Sequence, residues 1–250
     1  EASKTLVIEE FMAGEEVSIF ALCDGETVLY CGAAQDHKRV GEGDTGPNTG
    51  GMGAYSPAPI ATPELIDTAM KTIVEPVARG LAAEGHPFQG VLFAGLMVTK
   101  DGPKVVEFNI RFGDPECQVL MMRIDTDLLP YLMATATGAL GEMPPITWSP
   151  DPAITVVLAA NGYPGDYRKG SVIKGVTEAN RMEGVQVFEA GTGRNAKGER
   201  IAAGGRVLNV TASGETLHYA VERAYAAIDQ IDWPEGFCRR DIAWRALRTH

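Results

Sequence analysis

The most informative stretch of this chain is residues 104–116, where acidic, amide and basic side chains follow one another at strand spacing. Residues two apart in a strand point to the same side of a sheet, so Glu107 and Asn109 should share one face. A carboxylate beside an amide oxygen suits magnesium, which prefers oxygen ligands and commonly bridges to nucleotide phosphates. Arg111 follows at once as a fixed cation suited to a phosphoryl group. The spacing alone is equally typical of a solvated strand face, so both interpretations stand at this point.

The segments that flank this strand predict how it is held. Residues 90–99 are an apolar run, and Asp-Gly at 101–102 is typical of a two-residue hairpin turn. Gly-Asp-Pro at 113–115 predicts a sharp exit that brings Arg111, Asp114 and Glu116 to the same strand end. The hairpin also predicts two cross-strand pairs, Leu96 with Glu107 and Ala94 with Asn109. Neither neighbour can bind a metal ion, so the site would depend on the strand's own two ligands, phosphates and water.

Composition places the chain among ordinary globular proteins. Its 250 residues suffice for one large or two small domains, with 45% hydrophobic and 22% charged residues. The net charge of −11 argues against nucleic-acid binding, which favours a basic stripe. No apolar run approaches the length of a membrane span, and the polar start is unlike a secretory signal. We therefore expect no nucleic-acid partner and no membrane partner.

Cysteine and histidine usage favours a reducing compartment. The four cysteines show no Cys-x-x-Cys pairing, so we expect reduced thiols and a cytoplasmic location. The four histidines are scattered and form no zinc pattern. Cys117 lies beside the predicted site, but no histidine is near it in sequence and a catalytic thiol is not expected.

Hydrophobic periodicity and turn residues predict a mixture of strands and helices. A polar, glycine-rich loop is expected over residues 32–60. Residues 141–152 hold four prolines and are the best domain boundary, so we expect one domain at 1–148 and another at 149–250. Strands are predicted at 5–8, 16–23, 27–31, 90–99, 104–110, 153–160 and 207–210. Helices are predicted from Thr62 with an interruption at Pro76, over 125–137, and after a cap at Ser213.

Two further segments have compositions suited to ligand binding. Residues 7–16 place acidic side chains at both ends of a short hinge, whose backbone can bond an adenine edge while a carboxylate binds ribose hydroxyls. Residues 43–53 contain five glycines, whose exposed N–H groups can approach an anion closely. This loop is neither a Walker A motif nor a dinucleotide fingerprint. A solvated surface loop is the alternative for the hinge, and a flexible linker is the alternative for the glycine-rich loop.

Taken together, these segments resemble the glycinamide ribonucleotide synthetase family of the ATP-grasp superfamily, nearly from end to end. The resemblance implies an α+β or α/β fold, with an ATP-grasp lobe of mostly antiparallel sheet and flanking helices, and a smaller C-terminal α/β domain. Two motifs are specific: Gly-Pro-Asn-Thr-Gly-Gly-Met-Gly-Ala-Tyr-Ser-Pro at 46–57 and Phe-Asn-Ile-Arg-Phe-Gly-Asp-Pro-Glu at 108–116. The weaker matching segments are 8–11, 14–16, 35–39, 162–164, 169–170, 204–208, 240–242 and 245–247.

The resemblance also implies roles for individual residues, with ATP and Mg²⁺ (or Mn²⁺) as cofactors. Glu107 and Asn109 become the metal ligands. Arg111 and Asp114 become catalytic residues, the first at the transferring phosphoryl group. The implied nucleotide contacts are Glu9, Phe11 (through its backbone), Glu16 and Lys38. The implied substrate contacts are Asp44, Pro47, Asn48, Gly50, Gly51, Met52 and Gly53.

The reaction that the resemblance implies is ATP-dependent ligation of glycine to 5-phosphoribosylamine through a glycyl phosphate, a step of de novo purine synthesis. The family's N-terminal substrate domain and phosphate-covering loop would lie upstream of residue 1. We therefore expect a fragment that is inactive alone and that needs the missing N-terminal segment as a partner. The alternatives are another ATP-grasp ligase of purine synthesis, such as a carboxylase, or a non-catalytic binding or assembly fragment.

Overall fold

The first strand, β1 (Glu15–Asp24), shows why the sheet of this protein is buried on both faces. In the computed structural model, which describes residues 8–248, successive side chains of β1 point to opposite sides. Val17 and Ile19 pack with the helical residues Met70 and Val74, in one hydrophobic cluster. On the other face, Phe20 and Leu22 pack with other helical residues in a second cluster. The alternating apolar sequence of β1 therefore fixes a sheet with helices on both sides.

Seven strands are described before residue 110, and every pairing among them is antiparallel. They are β1 (Glu15–Asp24), β2 (Val28–Asp36), β3 (Arg39–Gly41), β4 (Thr45–Asn48), β5 (Gly53–Ser56), β6 (Gln89–Thr99) and β7 (Gly102–Asn109). The main sheet runs in the order β7-β6-β1-β2-β5, and β3 pairs with β4 in a separate ribbon. The hairpin of β6 and β7, which carries Glu107 and Asn109, is thus anchored on β1, which is buried from Val17 to Asp24.

The helical segment between β5 and β6 begins where the sequence predicts, and its α-helical pattern is interrupted just before Pro76. It consists of α1 (Pro63–Ala69), a π-helical turn (Met70–Val74) and α2 (Glu75–Ala83). The Thr62 hydroxyl accepts a hydrogen bond from Leu65 N (3.2 Å) and caps the first turn. Pro76 lacks an N–H and its ring crowds the preceding turn, so the helix widens just before it. The predicted interruption at Pro76 is confirmed.

The rest of the chain extends the same sheet. Its elements are α3 (Glu116–Arg123), α4 (Leu128–Thr137), β8 (Ala153–Ala160), α5 (Val176–Ala179), β9 (Val185–Glu189), β10 (Thr192–Arg194), β11 (Arg200–Ala202), β12 (Arg206–Ser213), α6 (Leu217–Ile228), β13 (Gly236–Phe237) and α7 (Trp244–Leu247). The sheet continues as β5-β8-β12-β9, with β13 also on β8, and β10 pairs with β11 separately. These pairings are antiparallel as well, which agrees with the predicted sheet and its flanking helices.

The largest correction to the predicted elements concerns residues 32–60. The predicted loop is wrong over much of this range, because β2 continues to Asp36 and β3, β4 and β5 follow. Strand β5, with the sequence Gly-Ala-Tyr-Ser, carries little local strand signal and is held by β2 on one side and β8 on the other. Helix α3 was not predicted at all, since it starts directly at the turn that ends the metal strand. Both errors come from pairing and packing partners that are distant in sequence.

Smaller corrections move the starts of two helices. Helix α4 begins at Leu128, later than predicted, because the Asp127 carboxylate accepts from Leu129 N (3.0 Å) and caps it there. Helix α6 is capped by Thr216 rather than Ser213, because β12 continues through Ser213. Of the strand predicted at 5–8, residues 5–7 lie outside the described residues and Ile8 is not in a strand.

The domain boundary at 148/149 stays a prediction. The proline-rich segment does end where β8 begins, yet β8 pairs directly with β5, so one sheet runs through both parts. Within residues 8–248, no helix has the length and apolar character needed to cross a membrane.

Candidate active site

The predicted metal strand is β7, which lies at one end of the main sheet, and its pairing with β6 differs from the prediction. The observed pairs are Gly95 with Glu107 and Phe93 with Asn109, where Leu96 and Ala94 were predicted. The turn comprises residues 100–101, with Thr99 opposite Gly102, and a bulge interrupts the register next to Gly95. The Thr99 hydroxyl fixes the turn, since it accepts from Asp101 N (3.1 Å) and donates to Gly102 O (2.9 Å).

Glu107 and Asn109 lie side by side, as the strand spacing predicts. Asn109 Nδ2 donates to Glu107 Oε1 at 3.2 Å. A Cβ at Gly95 would lie only 3.2 Å from Glu107 Cγ, so the glycine opposite leaves room for the glutamate. Within residues 8–248 no three His, Cys, Asp or Glu side chains are grouped closely enough to hold a metal ion. The donor set fits magnesium held by these two oxygen ligands together with phosphates and water.

Glu107 and Asn109 line a cleft of about 130 Å³, which we call the carboxylate cleft. It lies where β2, β7 and the start of α3 meet. Arg111 is part of it and donates from Nη1 to Phe112 O (2.9 Å). The lining residues are Asp36, Lys38, Thr49, Gly50, Phe93, Glu107, Asn109, Arg111, Gly113, Asp114 and Glu116. The structure therefore brings the predicted metal ligands, Arg111, Asp114 and Lys38 around one cleft.

Burial raises the pKa of two carboxyl groups of this cleft. Burial raises the pKa of Asp36 to about 6, although Lys38 opposes the shift. Burial, and then the negative charge of Asp36, raise the pKa of Glu116 to about 7, while Ser18 Oγ donates to Glu116 Oε1 at 3.3 Å. Burial works against the charged form of Lys38, but Asp36 and Glu16 outweigh it and raise the pKa. The cleft thus holds a charged lysine beside carboxyls that can keep a proton.

A second cleft, of about 430 Å³, adjoins the first at Asp36 and Lys38; we call it the lysine cleft. Lys38 Nζ forms an ion pair with Glu16 Oε2 across it, so two predicted nucleotide contacts meet here. Its lining residues are Gly14, Glu15, Glu16, Asp36, Lys38, Arg39, Asp44, Asn48, Met97 and Arg245. The two clefts form one polar surface with cations and acids interleaved.

Asp44, a predicted substrate residue, is bound by arginines from the end of the chain. Arg239 Nη1 donates to Asp44 Oδ1 (3.0 Å) and Arg245 Nη2 donates to Asp44 Oδ2 (2.6 Å). Arg239 is only 1% exposed and also donates to both carboxylate oxygens of Asp241 (2.8 Å each). The positive φ of 57° at Asp44 marks a tight turn that these arginines hold.

Asp114 is held in a similar way. Arg206 Nη2 donates to Asp114 Oδ2 (3.1 Å), while Gln118 Nε2 (3.1 Å) and Asn209 Nδ2 (3.3 Å) donate to Oδ1. Arg206 Nη1 also donates to the backbone oxygen of Asp114 (2.5 Å). Its carboxylate is therefore fixed at the strand exit, which suits a positioning role as well as the predicted catalytic one.

The predicted substrate loop divides into exposed and buried parts. Pro47 and Asn48 are exposed in β4, and Gly50 is exposed in the carboxylate cleft. Met52 and Gly53 are buried. The Met52 N–H donates to His37 O (2.8 Å), and the Met52 carbonyl oxygen accepts from Val157 N (3.0 Å). The exposed members can meet a ligand, whereas the Met52 side chain packs in the core.

The predicted hinge contacts lie before β1. Glu9 and Phe11 are exposed, Phe11 to 95%, in a segment without regular secondary structure. Their nucleotide contacts stay a prediction, as do all the residue roles above.

Several residues of the clefts were missed by the sequence reasoning. Asp36 and Glu116 lie inside motifs that were quoted, so their acidity was a usable signal. Arg206 also lies in a quoted motif, but nothing local indicates that it reaches the strand exit 92 residues away. Asn209 is brought in by sheet pairing and carries no such signal. Arg245 lies in a quoted segment, but nothing local indicates that it reaches Asp44.

Two family models match different parts of the chain. The model for the phosphoribosylglycinamide synthetase ATP-grasp (A) domain matches residues 1–117, and the model for the C domain of the same synthetase matches residues 153–245. A phosphoribosylamine–glycine ligase from Mesorhizobium japonicum is 62% identical over 98% of this chain and 57% of its own length. One from Vigna unguiculata is 53% identical over 93% of this chain and 75% of its own length. A chloroplastic one from Arabidopsis thaliana is 59% identical, with 46% of its length covered.

Comparison with solved structures gives the same family and identifies the fold. The crystal structure of phosphoribosylamine–glycine ligase from Thermotoga maritima superposes with a TM-score of 0.83 at 32% identity, over 93% of this chain and 56% of that one. The biotin carboxylase domain of 2-oxoglutarate carboxylase from Hydrogenobacter thermophilus, at 16% identity and a TM-score of 0.63 over 90% of this chain and 47% of that one, shares the fold alone. The chain spans about half the length of most of these relatives. The expected fold class, an antiparallel sheet with flanking helices and a smaller C-terminal domain, is confirmed, and the chain belongs to the phosphoribosylglycinamide synthetase family.

Proposed function

We propose that the full-length protein containing this chain ligates glycine to 5-phosphoribosylamine, using ATP, to give glycinamide ribonucleotide, ADP and phosphate. One observation carries this proposal: a chain of this family keeps Glu107, Asn109, Arg111 and Lys38 around one cleft. The names of its relatives supply the substrates. Because the chain covers 57% of the Mesorhizobium relative, we further propose that it works with an upstream part and is inactive alone.

The proposed chemistry has two steps. A glycine carboxylate oxygen attacks the γ-phosphorus of ATP, ADP leaves, and glycyl phosphate forms. The amine nitrogen of phosphoribosylamine then attacks the glycyl carbonyl carbon, the bond from that carbon to the phosphate oxygen breaks, and the amine loses a proton. Arg111 supplies fixed positive charge where the phosphoryl group moves, and the exposed part of the loop at 44–53 binds the acceptor.

Magnesium and ATP are the proposed cofactors. Glu107 and Asn109 would hold the ion, which neutralises phosphate charge when it is bound. The Hydrogenobacter domain, which shares the fold, was crystallised with the magnesium salt of ADP, and this supports the choice of ion. Manganese is proposed as a substitute for magnesium.

The proposed nucleotide contacts are Lys38, Glu16, Glu9 and the backbone of Phe11. Cytoplasmic location is proposed from the four free cysteines.

The test is ADP release from ATP by the full-length protein, with glycine and phosphoribosylamine each omitted in turn. We expect release only when both are present, and no release from the 250-residue chain alone. A requirement for bicarbonate in place of glycine would favour a carboxylase of the same superfamily. Nucleotide binding without turnover under any of these conditions would favour the non-catalytic alternative and contradict the proposal.

A further inference from the structure

Arg206, the first residue of β12, joins two segments that the proposed reaction needs but that lie far apart in the sequence. Its Nη1 donates to Gly50 O (2.6 Å), Gly51 O (3.2 Å) and Asp114 O (2.5 Å). Its Nη2 donates to Asp114 Oδ2 (3.1 Å). The first two acceptors belong to the glycine-rich loop and the others to the exit of the metal strand. One guanidinium therefore sets the distance between the loop and the strand end.

The contact between Arg206 and the glycine-rich loop requires glycine at position 50. A Cβ at Gly50 would lie 2.9 Å from Arg206 Cζ, so a side chain there would displace the guanidinium. The same loop is also held by Tyr163, whose hydroxyl accepts a hydrogen bond from Gly50 N (3.1 Å). Tyr163 can approach because its neighbour is Gly205, where a Cβ would lie 2.5 Å from the tyrosine ring. Two side chains from the part of the chain after residue 153, Tyr163 and Arg206, therefore form hydrogen bonds with the loop.

We propose that Arg206 is a positioning residue for the acceptor half of the reaction: it presses the glycine-rich loop against Asp114 so that the phosphoribosyl amine is bound in line with the glycyl phosphate. This inference rests on the proposed function. Arg206's partners are in the loop and the strand exit, whereas the proposed nucleotide contacts lie on β1, before it, and at Lys38. Arg206 therefore affects acceptor binding and leaves nucleotide binding unchanged.

Lysine is the informative replacement. It keeps a positive charge for Asp114 but offers a single flexible ammonium in place of a planar fork with several donors. The experiment compares the full-length wild type with Arg206→Lys by calorimetric titration with glycinamide ribonucleotide and, separately, with ADP and magnesium. We expect the Kd for glycinamide ribonucleotide to rise about 10- to 100-fold, as for loss of hydrogen bonds to a charged group, and the Kd for ADP to change by less than about twofold.

The matched control is Arg223→Lys. Arg223 lies on α6 and its Nη1 donates to Ser213 O, at the far end of β12, away from the clefts. We expect wild-type Kd values for both ligands. Equal affinity of Arg206→Lys and wild type for glycinamide ribonucleotide would overturn the inference. So would parallel loss of both ligands in Arg206→Lys, since that describes a general structural defect.

A double-mutant cycle with Gly50→Ala gives a second test of the inference. Gly50→Ala pushes against the same guanidinium without removing it, so we expect it to weaken glycinamide ribonucleotide binding by itself. Because both changes break one contact, the effect in the double variant should be smaller than the product of the single effects. Simple multiplication of the two effects would overturn the inference. Wild-type protein that binds ADP but no glycinamide ribonucleotide would refute the proposed function itself.

Discussion

Replacing the buried carboxyl of Glu116 by an amide should stabilise the protein in a pH-dependent way. Glu116 is 4% exposed, and burial followed by the charge of Asp36 raises its pKa from 4.5 to about 7. Between these two values the unfolded chain has lost a proton that the folded protein still holds. The folding free energy therefore becomes less favourable as pH rises from about 4.5 to about 7, and the penalty is complete above that.

The magnitude follows from the two pKa values. Their difference, at about 1.4 kcal/mol per pH unit, gives an upper bound of about 3 kcal/mol for the penalty that Glu116→Gln removes. The amide keeps the shape of the side chain and an oxygen that accepts from Ser18 Oγ. We therefore expect little difference between variant and wild type at about pH 4.5, and up to about 3 kcal/mol in favour of the variant at about pH 8.

The assay is urea unfolding of the full-length protein without metal or nucleotide, at several pH values, followed by tryptophan fluorescence. Trp148 packs in the same hydrophobic cluster as Leu120 of α3, so its signal reports on the helix that begins at Glu116. Glu178→Gln, at an exposed position on α5, is the control and should show no pH-dependent difference. A difference for Glu116→Gln that is the same at low and high pH would refute the reasoning, because it would not come from ionisation.

Three further predictions concern the metal strand, the glycine-rich loop and a helix cap. Glu107→Gln should lower glycine-dependent ADP release roughly 100-fold with an unchanged melting temperature; unchanged turnover would refute the metal assignment. Gly51→Ala should cost more stability in thermal unfolding than Gly43→Ala, because both have positive φ but only a Cβ at Gly51 meets a neighbour, Pro115 Cδ at 2.5 Å; equal losses would contradict the steric argument. Thr216→Ala should cost about 1 kcal/mol of unfolding free energy in urea, and unchanged amide exchange at the start of α6 would contradict the capping role.

Local signals were sufficient to predict several elements of the fold. The alternation in β1, the cap at Thr62, the break at Pro76 and the left-handed Gly138 after α4 each act within one turn or strand pair. Each feature of that kind is fixed by the backbone preferences of a few adjacent residues. The spacing of Glu107 and Asn109 belongs to the same class, since it needs only that β7 be a strand.

Non-local contacts decided what could not be predicted. The register of the β6–β7 hairpin depends on the Thr99 hydroxyl and on one bulge, and a single bulge shifts each later pair by one residue. Strand β5 exists because two distant strands flank it. The sequence pattern within 53–56 could not indicate either partner, so a loop was the natural interpretation.

The acids of the site show why residue type alone assigns too many catalytic roles. Asp44, Asp114 and Glu107 each keep part of the residue exposed, and each lies within or beside a segment that resembles the family. Yet the Asp44 carboxylate accepts hydrogen bonds from two arginines. The Asp114 carboxylate accepts them from one arginine and two side-chain amides. The hydrogen bond found for the Glu107 carboxylate comes from the Asn109 amide. A carboxylate whose lone pairs already accept hydrogen bonds from several side chains is better suited to hold backbone geometry than to bind a metal ion, because those donors would have to be released first. On that criterion Glu107 stays the predicted metal ligand, and the arginines that hold the other two acids, all from after residue 200, make the C-terminal part of the chain a structural component of the candidate site.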